Sequence, residues 1–130
     1  MTNQLQNAGE LYVLNSDMNI GTYEIGLYND ATDGLVDSDG YNAITTEPTG
    51  SAYVVKGQAT VTIQLDSDDN GQFILDPVTF DVSDSSQTVD SVYVRDDSSG
   101  DLIFTNNIGS QDLSTKDGNL EISNIGFSLD

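Results

Sequence analysis

The apolar residues of this chain come in short runs, each closed by a cluster of Gly, Asp, Asn or Ser, and none approaches membrane-spanning length. Such runs recur about every ten residues, a spacing that favours an antiparallel sandwich or barrel and leaves little room for helix. Strands are expected over residues 10–14, 22–28, 52–56, 59–65, 72–75, 78–82, 91–95, 102–105 and 120–129. Alternation is clearest at Tyr23, Ile25, Leu27 and at Ala59, Val61, Ile63, Leu65, where every second side chain is polar except at Gly26. This is the pattern of a half-buried antiparallel sheet. Hairpins are expected at Asp66-Ser67-Asp68-Asp69-Asn70-Gly71 and at Asp96-Asp97-Ser98-Ser99-Gly100-Asp101, because Asn-Gly and Gly-Asp steps tolerate positive φ. Residues 30–40, anchored only by Leu35 and Val36, read as a long exposed loop.

At 130 residues there is room for one domain and one core. Residues 1–9 read as an N-terminal arm, flexible or ordered by assembly. The opening Met1-Thr2-Asn3-Gln4-Leu5-Gln6 lacks the positive and apolar regions of a secretory signal.

The charge is lopsided: 22 acidic residues against 3 basic, a formal charge of -19, with only Glu10, Glu24, Glu47 and Glu121 not Asp. Disorder is the competing reading of such a chain, but 36% hydrophobic residues gathered in alternating runs argue for folding. At a Debye length of about 10 Å in 0.1 M salt neighbouring carboxylates repel, whereas at molar salt the length falls to about 3 Å. The composition therefore suits very salty water. Lys56, Arg95 and Lys116 stand singly, so neither nucleic acid nor an anionic membrane is an expected partner.

Catalysis is not expected. There is no His and no Cys, and among 18 Asp a pair at any carboxylate spacing arises by chance. No cofactor is required by any motif. The one specific local pattern is Asp66-x-Asp68-x-Asn70-Gly71, the first half of a calcium loop; Asp66, Asp68 and Asn70 are candidate ligands for calcium or magnesium. The second half departs, with Pro77 where a bidentate Glu would close the loop. A plain acidic hairpin needs no ion. Asp33, Asp37 and Asp39 form a weaker candidate of the same kind. Tyr12, Tyr28 and Tyr41, near the ends of runs, suit an interface rim.

Two stretches carry a resemblance. Gly21-Thr22-Tyr23-Glu24-Ile25-Gly26-Leu27-Tyr28, an Asp-rich loop and Thr46-Glu47-Pro48-Thr49-Gly50-Ser51-Ala52-Tyr53 form the first. Val89-Asp90-Ser91-Val92-Tyr93-Val94-Arg95-Asp96, then Gly100 and Leu102-Ile103-Phe104, form the second. Together they resemble a family of small virion proteins of tailed viruses. Many relatives carry Arg after the second Tyr, where this chain has Val54 and, two positions on, Lys56. The resemblance implies a jelly-roll-like β-sandwich on the outer surface of a virion, made in the host cytoplasm. The Asp excess adds the expectation of a halophilic archaeal host. The expected role is a capsid decoration, cement or turret subunit, a trimer or pentamer among other virion proteins; a tail-associated glycan-binding module is the alternative.

Overall fold

The computed structural model describes residues 6–17, 21–58, 60–116 and 118–129. In chain order these form α1 (Asn7–Asp17), β1 (Tyr23–Tyr28), a single helical turn α2 (Asp30–Asp33), β2 (Lys56–Gln58), β3 (Val61–Leu65), β4 (Gly71–Leu75), β5 (Val78–Asp81), β6 (Thr88–Asp96), β7 (Leu102–Asp112), β8 (Asn119–Ile122) and β9 (Ile125–Ser128). The strands build a four-stranded sheet, order β2-β1-β6-β7, a three-stranded sheet, β3-β4-β9, and the pair β5-β8. Every pairing is antiparallel, so the fold is an all-β, sandwich-like antiparallel architecture.

One core joins the three sheets. Ile25 and Leu27 of β1 stand opposite Val94 and Val92 of β6, and all four are fully buried. They share a cluster with Phe73 and Leu75 of β4, Phe80 of β5 and Ile125 of β9. Phe73 is its aromatic centre, with Tyr23, Phe104 and Phe127 at centroid distances of 5.5, 5.9 and 5.5 Å. Burial of such rings is the main term holding the sheets together. A side chain also ties two sheets: Asn106 of β7 accepts from the Gly126 N–H at 2.9 Å and donates to its carbonyl at 3.0 Å, copying a strand's hydrogen-bond pattern.

Both expected hairpins are present, joining β3 to β4 and β6 to β7. Four strand expectations need correction. Residues 10–14 lie in α1, whose Leu14 is 1% exposed and belongs to the core. Leu14 meets the core from one side of that helix, and a short apolar run shows no period by which to tell helix from strand. Residues 7–9 of the expected arm open the same helix. Residues 52–55 are not strand; the chain turns there, with the Tyr53 N–H on the Gly50 carbonyl at 3.2 Å, and pairing starts only at Lys56. The 102–105 run continues to Asp112, because Asn106 and Asn107 keep the ladder rather than turn. Residues 120–129 divide at Asn124, whose φ of 59° redirects the chain from one sheet to another.

Candidate functional site

On the face of β1 and β6 turned away from the core Glu24, Gly26 and Tyr28 stand opposite Arg95, Tyr93 and Ser91, and Tyr41 and Glu47 from the following loop meet Tyr93 there. Glu47 is the centre. Its Oε1 accepts from the Tyr41 hydroxyl at 2.8 Å, and its Oε2 accepts from the Tyr53 and Tyr93 hydroxyls at 2.8 and 3.0 Å. Tyr53 is itself an acceptor: where β2 ends, its hydroxyl takes the Leu27 N–H at 2.9 Å, so one carboxylate is linked to the edge of the main sheet. The Tyr41 ring packs 5.3 Å from Tyr93 and receives the Arg95 guanidinium at 4.0 Å from its centroid. Arg95 is held in turn by Glu24 at 2.7 Å.

This joint works because Glu47 offers several lone pairs and each phenol brings one proton. Burial first, and then the neighbouring Glu47 charge, pushes the Tyr53 hydroxyl far above the ordinary tyrosine value of 10.0. For Tyr93 burial again leads, followed by Tyr53 and Glu47. For Tyr41 burial leads, followed by the hydrogen bond to Glu47. A raised value in the folded state means stability that is complete below pH 10 and is lost as pH climbs through the folded values. Tyrosinate formation is therefore expected to coincide with loss of β-structure above about pH 10, followed by near-ultraviolet absorbance and circular dichroism together. Full titration of the tyrosines at the ordinary value with the fold intact would break that linkage.

Carboxylates stitch residues 29–55 down, Asp33 from within the segment and Asp84 and Asp90 from outside it. Asp33 accepts from the Thr45 N–H and hydroxyl at 3.0 and 2.6 Å and from the Thr46 hydroxyl at 2.7 Å. Burial works to raise its pKa, yet the Thr45 and Thr46 bonds outweigh it and hold the carboxyl below the usual value. Asp90 of β6 accepts from the Asp30 and Ala31 N–H groups at 2.7 and 3.2 Å. Asp84 accepts from the Ser51 hydroxyl at 2.7 Å and the Ala52 N–H at 3.1 Å, and Gly50 lies so close that a Cβ there would stand 2.5 Å from Asp84 Oδ1. A local device also repeats. In Asp81-Val82-Ser83, Asp96-Asp97-Ser98 and Asp112-Leu113-Ser114 the Asp Oδ1 accepts from both the N–H and the hydroxyl of the Ser two places on.

The residues singled out from the sequence do not gather in one place. Asp66 uses Oδ1 to accept from the N–H groups of Asp68 and Asn70 at 2.9 and 3.0 Å, closing the hairpin, and the Asn70 contact leads in lowering its pKa. Among the described residues no group of three or more acidic side chains is arranged to hold a metal ion. Asp39 accepts from the Val36 N–H at 2.9 Å, whereas Asp33 is held by Thr45 and Thr46. Of the three tyrosines, Tyr12 is 76% exposed on α1, Tyr41 is half-buried in the joint, and Tyr28 is 1% exposed, covered within the chain beside Tyr93.

Glu47, Tyr53 and Tyr93 are members of this joint that are not among the site residues expected from the sequence. One signal was there: in a chain with 18 Asp, a Glu is a choice, and its extra methylene gives the reach to meet three phenols. Comparison with protein-family models, curated proteins and solved structures gives no match.

Proposed function

We propose that this chain is a non-enzymatic structural protein of a halophilic tailed virus, an external decoration, cement or turret subunit of the capsid. The observation that carries the reading is the use of the motif residues. Glu47 and Tyr53 of the first stretch and Tyr93 of the second are spent on fixing an outer loop to a sheet, and Thr46 on tying that loop to its own Asp33. A building block needs such a rigid, hydrogen-bonded exterior, and it needs no reactive group. The charge of -19 supports the setting, since salt screens the repulsion among its carboxylates.

Dialysis from molar to a few millimolar salt is expected to loosen the β-structure, because apolar burial weakens while carboxylate repulsion grows. An unchanged circular dichroism spectrum would count against the salt-adapted setting. The placement is tested by immunogold labelling of purified virions from a halophilic host: label over the capsid supports the subunit reading, and unlabelled particles overturn it.

A second reading, a tail-associated glycan-binding module, draws on a pocket of about 360 Å³ beside the joint, lined by hydroxyls and amides including Thr46, Thr49, Gln87 and Thr88. Label confined to the tail would favour it.

A further inference from the structure

The acidic residues are distributed unevenly in space. Strands β3, β4 and β9 hold no ionisable residue, and neither does the run from Leu102 to Gln111 in β7. Side chains on the open side of the three-stranded sheet include Gln72, Ile74 and Ser128, which line a depression with Asn124. Asn124 also lines the adjoining groove of about 380 Å³ between β7 and β8–β9, where Gln111, Asn107 and the single charge Glu121 form the rim over Ile108 and Leu120. The two hollows share Asn124, and on a chain of charge -19 only two carboxylates stand at their edges, Glu121 on one rim and Asp66 bonded to Ser128 on the other.

We infer that this neutral face seats a second copy of the chain. Two copies of so acidic a molecule meet most readily where carboxylates are fewest, since juxtaposed like charges oppose association and are least screened once water is excluded. Two amides are available to pair with those of a copy: among the described residues the Gln111 and Asn124 side chains have no hydrogen-bond partner, and each is both donor and acceptor. A basic partner would be drawn instead to the Asp-rich loops on other parts of the surface. The inference deepens the subunit reading and takes its biological setting from it.

The experiment measures self-association by sedimentation equilibrium in molar salt, with folding checked by circular dichroism. The full chain is compared with Gln72→Glu/Asn124→Asp, near-isosteric charges on the face, and with Ser38→Asp/Ser86→Asp, the same added charge on exposed loops. The unaltered chain and the loop variant are expected to associate equally, and the face variant about a hundredfold more weakly while still folded. A monomeric unaltered chain overturns the inference and leaves the face to another partner; a face variant that associates normally overturns it as well. Capsid labelling with a monomeric chain would refute this interface alone, whereas association without any virion labelling would refute the subunit reading alone.

Discussion

Glu47→Ala is expected to cost about 4 kcal/mol, lowering the melting temperature in molar salt by more than about 10 °C. The substitution removes the acceptor of three phenols at once. Tyr93 is fully buried and cannot turn its hydroxyl to water, and Tyr53, already accepting from the Leu27 N–H, is left with an unpaired proton at the sheet edge. An orphaned buried donor costs more than the bond itself contributed, which is why the sum is large. Tyr41 is half-buried and can recover a water, so its share is the smallest. Glu47→Gln keeps one acceptor oxygen and is expected to lose about half as much. Thermal unfolding of the two variants checks the order, and a Glu47→Ala protein melting with the unaltered chain would dissolve the joint as a source of stability.

Gly26→Ala is expected to cost about 3 kcal/mol, unusual for the gain of one methyl group. Gly26 pairs with Tyr93 across β1 and β6, and the Tyr93 ring lies over it, so a Cβ would stand 2.3 Å from two ring carbons and 2.4 Å from the hydroxyl oxygen. A side chain can often swing away from such a clash. This ring cannot do so cheaply, because its hydroxyl is on Glu47 and its sides meet Tyr28 and Tyr41 at 6.3 and 5.3 Å. The requirement at Gly26 is therefore space for a neighbour, with no demand on backbone conformation. A double-mutant cycle separates these causes: in a Tyr93→Ala background the penalty of Gly26→Ala is expected to fall to a few tenths of a kcal/mol. A penalty that persists there would mean that the backbone, not the ring, needs the glycine.

The strand class was legible because alternation is a one-dimensional signal. Tyr23, Ile25 and Leu27 face the core as their spacing requires, and the Asp-Gly-Asn clusters do turn the chain at both expected hairpins. The α1 segment was not legible, since Leu11-Tyr12-Val13-Leu14 is apolar without interruption and carries no period. Nor was the end of β7, where Asn106 looks like a turn former yet pairs with the backbone of a distant strand.

What the sequence by itself determined is therefore the antiparallel class, the turns, the charge and the tyrosine-bearing stretches, all properties of neighbouring residues. The tertiary structure alone decided what those stretches are for. Glu47 and Tyr93 are 46 positions apart, and Asn106 and Gly126 are 20 apart. Both meetings depend on strand order and on how the loop folds back over the sheet. The physical reason is that a hydrogen bond between distant residues leaves no periodicity behind: any Tyr and any Glu are chemically able to pair, and only the packing of the whole chain selects which ones do.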